Sequence, residues 1–101
     1  MQNIVKIKDL SKSRIQEFIE TKHEWFYGHK TYVDGIDDEW VETKQEIKKD
    51  NSVHLEDELG DVLWDYMCLL HSLEEEKLIS SPEKVFERCY KKFSERIAWC
   101  R

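Results

Sequence analysis

Turn-forming residues are scarce in this sequence, with three glycines and one proline in 101 residues. A β-sandwich or barrel needs turn signals roughly every eight to twelve residues, so both are excluded. Long apolar runs are missing too. Nowhere do about eighteen apolar residues follow one another, so no membrane span is expected. Met1 to Asp9 carries Lys6 and Lys8 but no apolar stretch of the kind a signal peptide needs. The three cysteines, Cys68, Cys89 and Cys100, are odd in number and lack C-x-x-C spacing. They read as reduced, half-buried thiols of a cytoplasmic protein, with no ligand pairs for zinc. An excess of basic charge is also absent. Sixteen Lys and Arg stand against twenty-two Asp and Glu, a net charge of −6. Nucleic acid polymers and anionic membranes want a basic surface, so neither is the expected partner. There is no repeat, low-complexity stretch or long linker, so residues 1–101 are read as one domain.

What is present is 40% apolar and 38% charged. That is too apolar for disorder and highly charged for a single globular core. Such a chain exposes long charged helical faces or completes its core against another copy of itself. Four helices are predicted. The first runs from about Ser11 to Trp25, with Ser11 as cap and Leu10 and Ile15 spaced as a hydrophobic staple. The stretch Phe26 to Gly35 carries turn signals, and the second helix follows from Ile36 to Lys49. Asp50-Asn51-Ser52 breaks it and offers caps. The third helix spans about Val53 to Leu78, where Leu55, Leu59, Val62, Tyr66, Leu69 and Leu73 recur at three- and four-residue steps. Ser81-Pro82 reads as an N-cap with proline at the first helical position. Val85, Phe86, Cys89, Phe93 and Ile97 then form the stripe of the fourth helix, which reaches about Ala98. The expected architecture is an all-α bundle of four to five helices, completed by oligomerisation.

Two matched rows of acids stand out. Glu39, Glu42 and Glu46 fall at i, i+3 and i+7 on the second helix, and Glu58, Asp61 and Asp65 repeat that spacing on the third. Each row occupies a strip roughly 60° wide on a helix that turns about 100° per residue. Each borders the apolar strip of its helix: Ile36, Trp40 and Ile47 on the second, Leu55, Leu59, Val62 and Tyr66 on the third. A solvated acidic face would be interleaved with Lys or Arg at i+4. No member of either row has one. If the rows faced each other, a like-charge pair at about 4 Å would cost on the order of 4 kcal/mol at an effective dielectric near 20. A hard divalent cation, magnesium or its substitute manganese, suits such oxygen ligands. Two strips that stay apart in water would instead be an ordinary solvated surface.

At Asp38-Glu39-Trp40-Val41-Glu42 and Glu58-Leu59-Gly60-Asp61 the chain resembles the MazG family of nucleoside triphosphate pyrophosphohydrolases, within the all-α NTP pyrophosphatase superfamily. The family pattern is E-x-x-E, a spacer, then E-x-x-D. The segment Leu55 to Trp64 is its most characteristic part, and the likeness covers about Ile36 to Trp99. Gly60, a costly residue inside a helix, reads as a place of close approach by a neighbouring helix or a ligand. The resemblance implies that Glu39, Glu42, Glu58 and Asp61 bind magnesium. It also implies that Lys92 and Arg96, in Lys92-Phe93-Ser94-Glu95-Arg96, touch the phosphates. Glu95 departs from the basic residue often found there, and Asp38 replaces the first glutamate of E-E-x-x-E.

The function this implies is magnesium-dependent cleavage of a nucleoside triphosphate to the monophosphate and pyrophosphate, by a homodimer or homotetramer. Glu39 or Asp38 is the candidate general base, and His54, one turn before Glu58, a candidate phosphate contact. Trp25, Phe26, Tyr27 and Tyr32 cluster near the first loop and could stack on a nucleobase, though such residues also serve as core or interface. A di-iron carboxylate bundle wants paired Glu-x-x-His motifs. Only Glu20 to His23 has that form, away from the acid rows. The remaining alternative is a non-catalytic helical interaction module.

Overall fold

The computed structural model describes residues 2–100 and consists of helices α1 (Gln2–Thr21), α2 (His29–Gln45), α3 (Ser52–Glu75) and α4 (Pro82–Cys100). No strand occurs among the described residues, so the chain is all-α as expected. α3 is the hub. Its backbone approaches that of each other helix, and those three do not come as close to one another.

α1 starts at Gln2, nine residues before the predicted cap. Ser11 does not cap it. The side chain is fully buried in mid-helix, and its hydroxyl donates to the carbonyl of Lys8 at 2.8 Å. Leu10 is exposed, so no staple forms with Ile15. The carbonyl of Lys8 also lies 3.0 Å from Nε2 of His71 on α3, and the Lys8 ammonium pairs with Glu83 of α4 at 2.8 Å. One residue of α1 thereby ties three helices together.

α1 ends in a Schellman turn. The His23 N–H donates to the Phe18 carbonyl and the Lys22 N–H to that of Ile19, with Lys22 in the left-handed region at φ 51°. α3 ends in the same way around Lys77, at φ 61°. α2 begins at His29 and not at Ile36. Gly28 precedes it at φ 67°, and a Cβ there would sit 2.7 Å from Oε2 of Glu76. The Glu76 carboxylate accepts from the His29 N–H at 2.8 Å and meets its ring Nδ1 at 2.7 Å. An anion is thereby set at the positive end of α2, which fixes that end against the end of α3. α4 starts as predicted, with the Lys84 N–H donating to the Ser81 hydroxyl at 3.1 Å and Pro82 buried.

The core lies between the first three helices. Ile15, Phe18, Tyr32 and Cys68 fill it, with Phe26, Trp64 and Leu69 packed against them. The apolar strips expected to form this core are largely outside it. Trp40, Ile47, Leu59 and Tyr66 are exposed, because α2 and α3 turn their acid-bearing sides toward each other. Beyond Phe86, α4 is exposed through Trp99, although its stripe has the periodicity predicted. Cys68 is buried and free, and Cys89 is exposed and free. The Cys100 side chain lies outside the described residues.

Candidate active site

α2 and α3 run antiparallel, and their facing residues stack in layers. Thr43, fully buried, stands opposite Glu58. Its hydroxyl lies 2.7 Å from the Glu39 carbonyl and 3.4 Å from that of Glu58. One turn along α2 is Glu39, and one turn beyond that Gly35 faces Asp65, where a Cβ would meet Oδ2 at 2.9 Å. A small β-branched residue and a glycine thus let the two helices close with carboxylates between them.

Carboxylate oxygens of Glu39, Glu58 and Asp61 lie within 4.8 Å of one another, close enough to share one metal ion. Oε2 of Glu39 and Oε2 of Glu58 are both shielded from water and have no hydrogen-bond partner. Buried carboxylate oxygens without donors are costly. An all-oxygen cluster with two orphaned atoms fits a hard dication. The electrostatics agree. Desolvation, then the adjoining Glu58 carboxyl, then the charges of Asp61, Glu42 and Glu58 push the Glu39 carboxyl up to about 7. Asp65 is also raised, by desolvation and by the charge of Asp61.

The other sequence-predicted residues sit elsewhere. Glu42 is exposed and outside the three-carboxylate group, although its charge acts on Glu39. Asp38 and His54 are exposed on α2 and the first turn of α3. Glu46, third in its row, is occupied at the α2–α3 turn, where Asn51 Nδ2 donates to its carboxylate at 2.6 Å and its carbonyl at 2.9 Å. Lys92 and Arg96 stand on the exposed part of α4. They share an open face of α4 with Arg88, Lys91, Glu95 and Trp99, and no residue of α2 or α3 lines that face. Arg96 lies 5.4 Å from the Phe93 ring centroid. Gly60 is not a point of close helix approach, for a Cβ there would meet nothing within 4 Å.

Beside the acid layers opens a cavity of about 320 Å³, lined by Arg14, Phe18, His23, Trp25, Tyr32 and Trp64. Trp64 follows Asp61 by three residues on α3, and Tyr32 precedes Glu39 by seven on α2. The cavity therefore begins about one helical turn from the carboxylates. Trp25 and Tyr32 were anticipated from sequence. Tyr32 is also a core residue, Phe26 packs against that core 5.6 Å from Phe18, and Tyr27 is exposed away from the cavity. Arg14, Phe18, His23 and Trp64 were missed as lining residues. They are scattered over α1, its following loop and α3, and no local pattern marks them.

The family model for the MazG nucleotide pyrophosphohydrolase domain matches residues 27–100, which takes in α2, α3 and α4 but not α1. No curated protein and no solved structure matches the chain.

Proposed function

We propose, from the premise that the chain belongs to the MazG nucleotide pyrophosphohydrolase family, that it hydrolyses a nucleoside triphosphate to the monophosphate and pyrophosphate. The observation that carries this reading is the Glu39–Glu58–Asp61 group, with its two orphaned oxygens. These three, with Glu42 one turn from Glu39, hold magnesium, for which manganese can substitute. Such an ion supplies charge neutralisation in the seam, polarisation of the phosphates and a more acidic water.

The residues of the chain do the rest. Water attacks the α-phosphorus and the α–β anhydride bond breaks, releasing pyrophosphate. Asp38, or Glu39 through an oxygen that the cation leaves free, takes the proton of that water. The base lies in the aromatic cavity, where π faces hold any base by stacking. Lys92 and Arg96 neutralise the departing pyrophosphate, and His54 stands at the same end. Because α4 projects past α3, these two side chains meet the phosphates from a neighbouring copy, in a homodimer or homotetramer. Two features support that assembly. The exposed stripe of Phe93, Ile97 and Trp99 needs cover, and so do Trp40 and Leu59 beside the acid seam. The free thiols of Cys68 and Cys89 suit the cytoplasm.

The test is a screen of the common nucleoside triphosphates with magnesium, reading released pyrophosphate. Turnover is expected in the wild type, with loss in Asp61→Ala and Glu42→Ala while helical circular dichroism persists. Retained turnover in both variants removes the mechanism. The second reading, a non-catalytic helical interaction module, draws on the exposed face of α4. It predicts a melting temperature that does not respond to magnesium, whereas a metal site raises it by mass action.

A further inference from the structure

We infer that Arg14 reads the edge of the base and makes the aromatic cavity selective for 6-oxopurines, guanine or hypoxanthine, over adenine. This rests on the assignment of that cavity to the nucleobase. Trp25, the most exposed of the aromatic walls, and the half-buried Trp64 stack on every base alike, and Phe18 and Tyr32 lie buried behind them, so the aromatics do not discriminate. Selection must come from the polar groups of the lining, and apart from the Tyr32 hydroxyl, which is buried beside Cys68, these are donors. Arg and Trp side chains donate only. His23 Nδ1 accepts from the Trp25 N–H at 3.2 Å, which leaves its ring proton on Nε2. The cavity therefore offers no carboxylate or amide oxygen to an exocyclic amino group.

Arg14 is held in place from two sides. Its guanidinium carbon lies 4.4 Å from the Phe18 ring centroid. Its Nη1 donates to Oε1 of Glu17 at 2.7 Å. Nη2 and Nε make no other hydrogen bond among the described residues, so a forked donor edge remains for a ligand. Adjacent O6 and N7 acceptors match that fork, the pairing by which arginine reads guanine in duplexes. Adenine puts the N6 amino donor where O6 would be and leaves a donor facing donors.

The experiment is a titration of the full chain with GMP, IMP, AMP and 7-deaza-GMP, followed by quenching of tryptophan fluorescence. GMP and IMP should bind at least about tenfold tighter than AMP and 7-deaza-GMP, the size of one good bidentate contact. In Arg14→Lys, which keeps the charge but not the fork, and in Arg14→Gln, that ratio should fall toward one. Circular dichroism checks that both variants fold. Equal binding of GMP and AMP by the wild type, no binding of either, or a ratio that survives both substitutions overturns the inference. Pyrophosphate release from GTP and ATP, run in parallel, keeps the two readings apart. Turnover without a preference for GTP sinks the role of Arg14 alone. Selective binding without turnover supports it and sinks the hydrolase.

Discussion

Where α2 meets α3, polar groups are turned inward: Glu39, Glu58 and the buried Thr43 occupy the seam, while Trp40 and Leu59 face outward. On α4 the reverse holds in a different sense. A regular stripe of Phe93, Ile97 and Trp99 shares an exposed helix with Lys92 and Arg96. The seam gives up burial of apolar surface to concentrate negative charge. The arm keeps its apolar stripe and basic charge uncovered by the body of the chain. Local pattern is alike in both, and what differs is whether a neighbouring helix arrives. Charge held under cover marks a candidate site, whereas charge on an uncovered helix stays open to solvent.

The largest effect expected from breaking this contrast is at Glu58. Glu58→Gln keeps the shape but removes a carboxylate from the seam. Turnover should fall by more than the roughly 10–100-fold that an outer-shell partner costs. Without divalent ions the same variant should melt no lower than the wild type, since a like-charge contact is gone. Calorimetry with chelator and then with magnesium reads both halves, and the magnesium-induced rise in Tm should shrink. A wild-type magnesium response in Glu58→Gln would mean that the orphaned oxygens are not the ion's ligands.

Next comes packing. Phe18 is 5% exposed and touches Phe26, Trp25 and His23. Phe18→Ala should cost about 3–5 kcal/mol, a large part of the stability of a small domain. Phe93→Ala, at a residue 51% exposed, should change the melting of the dilute single chain by no more than about 0.5 kcal/mol. In concentrated protein the same change should shift mass from oligomer to monomer, read by sedimentation.

The pH response sharpens the comparison further. Glu39 is raised from an ordinary 4.5 to about 7 in the fold, so the folded chain binds more protons than the unfolded chain between those values. Stability without divalent ions should therefore fall as pH rises through that window and level off above it. Magnesium in the seam favours the ionised form and should flatten the slope. Glu83 runs the other way. Its hydrogen bond to Lys8 holds it below the ordinary value, so its contribution is present above about 4.5 and lost as pH falls through the lowered value. Glu83 is exposed and Lys8 only half-buried, so the effect should be small. Chemical denaturation in chelator at a series of pH values separates the two.

These contrasts also show how far sequence reading carries. Helical class, the α4 cap at Ser81-Pro82 and the three clustered carboxylates were legible, because periodicity and motif spacing encode them locally. The start of α2 was not. Gly28 precedes it as a turn residue, and the His29 N–H that follows is satisfied by Glu76, a residue 47 positions ahead. The ends of α1 and α3 were blurred because Lys22 and Lys77, not glycines, take the left-handed position. Which strip faces inward was also hidden. Trp40 and Leu59 look like core by composition, and only the close approach permitted by Gly35 and Thr43 turns the acids in. Arg14 could not be singled out at all, because a cavity assembled from three elements leaves no spacing to read.

The last contrast is between two glycines on the facing helices. Replacing a helical glycine by alanine gains up to about 1 kcal/mol where the methyl meets nothing. At Gly60 nothing lies within 4 Å, so Gly60→Ala should raise the Tm of the ligand-free chain. At Gly35 the methyl would press on Asp65 at 2.9 Å, and the half-buried carboxylate has to move. Gly35→Ala should therefore forfeit most of that gain and disturb the layer next to Glu39. Equal Tm values for the two variants would show that α2 and α3 are not packed as closely as the seam requires. A stabilised Gly60→Ala that binds nucleotide more weakly would show instead that the open side of α3 is room for a ligand.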